Sequence, residues 1–159
     1  MNLLAGSTII PVSLVNIHAK SEDGNAMSYT RRLGGSQGLK TILDLATFNS
    51  RNLVIIGDFN DYLNGTTSAA CACTDSPFKN FVDDQANYSP ITQNLTNISG
   101  TSPIIEHIIL SNELSGNVIS NSVTREFAVT QSITNFNFTT SNHIPVSATL
   151  QFSLLGNSQ

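Results

Sequence analysis

The stretch NLVIIGDFND, residues 52–61, decides how this chain folds. Leu53, Val54, Ile55 and Ile56 form an apolar run of strand length with no polar alternation, the pattern of a strand covered on both faces. Gly57 then leads into Asp58, Phe59, Asn60 and Asp61. Gly, Asp and Asn favour turns, so a strand-to-loop turn accounts for them. A polar corner held at the rim of a sheet accounts for them equally well.

The flanking segments set this strand in an α/β pattern. PVSLVNIHA, residues 11–19, alternates partially and reads as a strand ending near His18. SEDGN is a turn cluster. From Met27 to Phe48 the spacing of Leu33, Leu39, Ile42, Leu43, Leu45 and Ala46 suits an amphipathic helix. Gly34-Gly35 weakens its first half, so the clean helix is expected over Gln37–Phe48. Strand, helix and strand imply a layered α/β domain. Residues 62–103 read as a long loop with a short helix at Phe78–Val82, and a loop of that length tends to be functional. Three further strands are expected, in PIIEHIILS (103–111), NVISNSVTREFAV (117–129) and PVSATLQFSLL (145–155). The expected fold is α/β: a mixed or mostly antiparallel sheet with helices packed on one side. One good helix cannot cover every buried strand, so a homodimer mate or a partner chain is expected over the open sheet face.

Composition narrows the partners. The 159 residues, 1–159, have the length of a single domain with a real core. The formal net charge is −4, with seven basic residues scattered along the chain. A protein that grips duplex DNA carries a basic footprint, because neutralising phosphates supplies much of the affinity. A small phosphorylated substrate needs only one or two such groups and is the better match. No apolar run approaches the ~20 residues of a membrane-spanning helix. Polarity comes mainly from Ser, Thr and Asn, a composition common in exported, periplasmic or extracellular proteins. Met1-Asn2-Leu3-Leu4 lacks the basic start of a signal peptide. The chain is therefore either cytosolic or preceded natively by further sequence. Cys71 and Cys73 read as loop thiols or a short disulfide, since no second Cys/His pair completes a zinc site. The Asn-x-Ser/Thr triplets at Asn64, Asn94, Asn97 and Asn137 are expected by chance in such a sequence.

Polar groups recur where strands meet loops: His18, Asp58 with Asn60, Glu106, and Asn142-His143. Two histidines with carboxylates and an amide are the groups that cleave a phosphate ester. A carboxylate positions water, imidazolium and amide donors stabilise the charged phosphorane, and an acid protonates the leaving oxygen.

In this order VNIHAKS, NLVIIGDFND, IIEHIILS and SNHIPVSATL resemble the endonuclease/exonuclease/phosphatase family, which includes DNase I-like nucleases, sphingomyelinases and inositol-phosphate phosphatases. The resemblance spans residues 10–152. It implies a four-layer α/β sandwich and Mg²⁺- or Mn²⁺-dependent hydrolysis of phosphoesters. It implies that His18 contacts the scissile phosphate or acts as acid, and that Asp58 orients or deprotonates water. Asn60 would donate to the phosphate and sit near metal, His143 would be the catalytic histidine, and Glu106 would hold its ring. Asp58, Asn60 and Asn142 would fall at the metal site.

Three departures accompany the resemblance. Family members are longer, and their first half supplies a metal-binding glutamate and an acidic partner for the histidine matched by His18. The chain is thus expected to be a C-terminal portion of the family fold. Asn142 stands where the family has an aspartate, which removes a charge that Mg²⁺ prefers. Glu106 replaces an aspartate and displaces the ring it holds by about an ångström, which can cost on the order of 10²-fold. The expectation is weak activity or none for this chain alone, with a catalytically decayed binding or assembly domain as the alternative.

Other polar residues read more plainly. His107 alternates with Glu106 and points to the opposite face, as a structural histidine. Asp61 divides between a loop role and a site role. Arg31-Arg32 reads as a solvated helix face, with a phosphate contact as the alternative, and Asp83-Asp84 as a helix end or loop surface, not a metal pair.

Overall fold

The computed structural model describes residues 1–5, 8–97, 100 and 103–152. In chain order the elements are β1 (Asn2–Ala5), β2 (Thr8–Pro11), β3 (Ser13–His18), α1 (Ala26–Leu43), β4 (Leu53–Asp58), α2 (Lys79–Val82) and β5 (Tyr88–Ser89). They continue as β6 (Glu106–Ser111), α3 (Asn112–Ser115), β7 (Thr124–Arg125), α4 (Phe127–Ser132), α5 (Phe136–Thr139) and β8 (Val146–Ser147). The central sheet has the order β3-β4-β6-β5. β3 and β4 run parallel, as a strand–helix–strand unit requires, and β6 is antiparallel to both β4 and β5. The chain is therefore α/β with a mixed sheet.

Alternation along β4 and β6 divides the core in two. Leu53, Ile55 and Ile109 pack with Leu43, Phe59, Phe78, Phe81 and Tyr88 on the face covered by α1 and α2. Burying each such side chain is worth about 1.5–3 kcal/mol. Ile108 and Leu110 pack with Val12 and Leu114 on the opposite face, against half-buried Val54, Ile56, Val146, Leu150 and Phe152. That second face is not bare: residues 146–152, the β1–β2 hairpin and α3 lie over it. A cavity of about 220 Å³ remains between Val54, Ile56, Ile108, Leu110, Val146 and Leu150. Gly57 is required where β4 nears its end: a Cβ there would sit 1.9 Å from the Ile17 carbonyl oxygen, at a φ of 142°.

Several boundaries differ from expectation. α1 begins at Ala26 and runs through Gly34-Gly35. Its inward residues in that half are Ser28, Arg32 and Ser36, spaced by four and all buried. A polar buried stripe is invisible to an apolar periodicity, although it satisfies the same geometry. Asn25 caps the start by accepting from the Met27 amide at 2.9 Å. The helix ends at Leu43, and the Asp44 amide closes the last turn on the Lys40 carbonyl at 2.8 Å.

The strand expected over 117–129 is a bridge at Val118, the two-residue β7 and then α4. Asn121, at φ 62°, interrupts it. Its partner is equally short: β8 pairs with β7, and Leu150 bridges to Val118. Residues 153–155 of that expected strand lie outside the described residues. The long loop persists, closed by α2 and β5, and Cys71 and Cys73 are disulfide-bonded within it.

Candidate active site

Strand register places the corner. His18 pairs with Asp58 across β3 and β4, and Asp58 pairs with Glu106 across β4 and β6. Three polar residues thus form one row across three neighbouring strands, at the end of the sheet where β3 and β4 stop and β6 begins. By the two-residue period the row lies on the face of Val54, Ile56, Ile108 and Leu110, opposite α1. The fourth strand-end residue, His143, arrives from the turn before β8, where its amide donates to the Ser141 hydroxyl at 3.0 Å.

Asp58 is the hub of the cluster. Its Oδ2 lies 3.5 Å from His18 Nε2 and 3.9 Å from His143 Nε2. Its Oδ1 accepts from the Asn60 amide at 2.8 Å. His143 Nδ1 is 2.6 Å from Glu106 Oε1, so the Nδ1 proton is held by Glu106 and Nε2 is turned toward Asp58. Asn60 sits at φ 51°, a left-handed conformation that asparagine tolerates. Its side-chain nitrogen donates to the Ala19 carbonyl at 3.0 Å and to Asp58 Oδ2 at 3.2 Å. Asn60 therefore braces Asp58 against the loop that follows His18, with its amide donors directed inward. The His18 side chain is 78% exposed, that of His143 34%, that of Asp58 21% and that of Glu106 16%. The corner is a half-open rim with two imidazole nitrogens facing one carboxylate oxygen across more than hydrogen-bond distance.

The structure thus gathers His18, Asp58, Asn60, Glu106 and His143. Asn142 is exposed on the turn beside His143. Among the described residues no group of three or more His, Cys, Asp or Glu side chains is arranged to hold a metal ion. Asp58 is shared by Asn60 and two imidazoles, Glu106 is bound to His143, and Asn142 carries no charge. This donor set does not match the oxygen-rich octahedral shell that Mg²⁺ demands.

Several polar residues outside the corner are paired within the protein. Arg32, expected on a solvated helix face or at a phosphate, is 2% exposed and fully engaged inside the protein; Arg31 is exposed. Arg32 Nε donates to Asp61 Oδ2 at 2.9 Å, one Nη to the Lys20 carbonyl at 2.8 Å, and the other to Glu22 Oε2 at 2.8 Å and to the Ser68 hydroxyl. Asp61 is buried and belongs to this loop network, accepting also from Thr66 Oγ1 and from the Tyr62 and Thr67 amides. Hydrogen bonds from Ser68 and Arg32 hold the Glu22 carboxyl below its usual range. Asp84 is paired with Lys40 at 2.6 Å, and Lys79 reaches Asp83 at 3.3 Å.

His107 is buried beneath the corner, as alternation from Glu106 predicts. Thr92 Oγ1 lies 3.1 Å from its Nδ1 and the Asp61 carbonyl 3.2 Å from its Nε2. Burial pushes its pKa down to about 4. The signal that could have found Arg32 is its place between Ser28 and Ser36 on one helix face, facing an acidic residue just after a buried strand.

No family model matches this chain, and none of the curated proteins matches it. Among the described residues no helix is long and apolar enough to cross a membrane.

Proposed function

We propose that the corner around Asp58 is the catalytic site of a phosphoric ester hydrolase. The observation that carries the proposal is one carboxylate oxygen, Asp58 Oδ2, facing His18 Nε2 and His143 Nε2 at 3.5 and 3.9 Å while Glu106 holds the far side of His143. A water accepted by Asp58 attacks phosphorus in line. Its oxygen forms the new bond to phosphorus as its proton passes to Asp58 or His143 Nε2. The bond to the leaving oxygen breaks, and that oxygen takes a proton from an imidazolium, for which exposed His18 is placed. His143, whose Nδ1 proton is held by Glu106, has a lone pair at Nε2 until it takes the water's proton; as an imidazolium it then donates from Nε2 to the phosphoryl oxygens where charge accumulates.

The acidic balance of the chain favours small phosphoesters over duplex DNA as substrate. The four-layer sandwich and export from the cytoplasm belong to the same proposal and rest on resemblance and composition, whereas the donor set of the corner does not fit the Mg²⁺ that the resemblance implies and the proposed hydrolysis draws on no metal. A second copy or partner chain over the half-covered sheet face is likewise proposed, and sedimentation of the purified chain tests it.

The proposed activity of this chain alone is weak. Slow hydrolysis of bis-p-nitrophenyl phosphate by the purified chain, lost in His143→Ala and retained in a surface control such as Arg31→Ala, is the expected result. Hydrolysis that is unchanged in His143→Ala places the activity elsewhere.

Asn142, uncharged where the resemblance implies an aspartate, and the lack of a convergent carboxylate set among the described residues favour a second reading, a domain that has lost catalysis and retains binding or assembly. Asn142→Asp separates the two: under metal-site decay at this position Mg²⁺ affinity measured by calorimetry rises, and an unchanged affinity removes that explanation.

A further inference from the structure

Four segments carry the corner, and three of them have a second attachment on the opposite side of the sheet. The segment after β3, which follows His18, is held by Arg32 through the Lys20 carbonyl and the Glu22 carboxylate. The segment after β4, which carries Asp58 and Asn60, is held by Arg32 through Asp61. The start of β6, which carries Glu106, is held through His107, whose Nε2 meets the Asp61 carbonyl. Ser68, in the same loop as Asp61, meets both Arg32 and Glu22.

A guanidinium offers five donors in a fixed plane. Here those directions reach four acceptors on two loops, the one after β3 and the one after β4, with the side chains of Arg32 and Asp61 both fully buried. Lysine keeps the charge and cannot reproduce the fork.

We propose that Arg32 is the positioning residue of the site: from behind the sheet it sets the distance between His18 and Asp58 by clamping the loops that follow β3 and β4. The inference rests on the corner being the catalytic site, and it has a geometric readout independent of catalysis. Two amides report the corner directly. The Ala19 amide donates to the Asp58 carbonyl at 2.9 Å, and the Asn60 amide donates to Asp58 Oδ1 at 2.8 Å. The Ile55 and Ile109 amides report the core strands.

The experiment is residue-resolved amide hydrogen exchange on the full chain and its Arg32→Lys variant. Exchange at Ala19 and Asn60 is expected to accelerate about tenfold or more, with Ile55 and Ile109 unchanged. Acceleration by one common factor at all four positions overturns the proposal, because it reports lost global stability alone. Wild-type exchange at Ala19 and Asn60 overturns it too. Should Arg32→Lys fail to fold, the double variant Arg32→Met/Asp61→Asn removes both buried charges together and is judged by the same amides.

Catalysis adds a second arm. In Arg32→Lys the kcat for bis-p-nitrophenyl phosphate is expected to fall at least tenfold with KM within about twofold, the sign of misplaced groups and not of lost binding. A fall confined to KM overturns the positioning role. A wild-type chain that hydrolyses no phosphoester defeats the proposed function instead, and the exchange result then stands alone as the test of the clamp.

Discussion

Glu106 and His107 are neighbours in sequence and opposites in surroundings. Glu106 faces the half-open rim and holds His143; His107 faces the helix side, buried between Thr92 and the Asp61 backbone. Both regions use the same materials, an imidazole, carboxylates and backbone carbonyls. Behind the sheet the donor nitrogens of Arg32 each meet an acceptor, and its charge is paired with Asp61 and Glu22. At the rim His18 and His143 stand 3.5 and 3.9 Å from Asp58, so their nitrogens keep the capacity to act on something else. A buried polar cluster must be satisfied to be tolerated. A reactive one must be left partly unsatisfied and open to solvent.

Substitutions should separate the two regions. The largest effect is expected behind the sheet: Asp61→Ala leaves the Arg32 guanidinium buried without its fully buried carboxylate partner, and should cost about 3–5 kcal/mol in urea unfolding. A loss under about 1 kcal/mol would mean that the network is dispensable. Next comes acid. His107 has its pKa lowered from 6.5 to about 4, so the folded state holds fewer protons than the unfolded state between those values. Its contribution is complete above pH 6.5 and declines as pH falls toward about 4, by on the order of 3 kcal/mol. Denaturant midpoints measured across that window should slope for the wild type and flatten for His107→Gln.

Rim substitutions should move activity and leave stability nearly alone. Glu106→Gln is expected to cost less than about 1 kcal/mol, because its ion pair is partly solvated. Phosphoester hydrolysis should nevertheless fall on the order of 10²-fold as His143 loses its orientation. The smallest stability effect is expected for His18→Ala, within about 0.5 kcal/mol by thermal unfolding. A large destabilisation there would reassign His18 from the open rim to the fold.

Much of the architecture was legible in local pattern. The unbroken apolar run Leu53–Ile56 announced a strand covered on both sides, and the Glu106/His107 alternation announced which side each would face. α1 was half legible. Its second half carries Leu39 and Leu43 inward, while its first half buries Ser28, Arg32 and Ser36, which no hydrophobic template detects. Residues 117–129 misled in the other direction. Their alternation resembles a strand, but Asn121 turns the chain left-handed, and among the described residues the partner beyond His143 forms ladder pairs at Thr124–Arg125 and a bridge at Val118.

The corner divides in the same way. Residue order alone marked His18, Asp58, Asn60, Glu106 and His143 as polar groups at strand ends, because side-chain period and turn chemistry are properties of a few consecutive residues. Whether they meet depends on register between strands 40 to 50 residues apart, and pairing of His18 with Asp58 and of Asp58 with Glu106 is a property of the assembled sheet. The role of Arg32 is of that second kind. A lone arginine on a helix is solvated unless acceptors from distant loops converge to replace its water, and only the packed chain brings Lys20, Glu22, Asp61 and Ser68 around it.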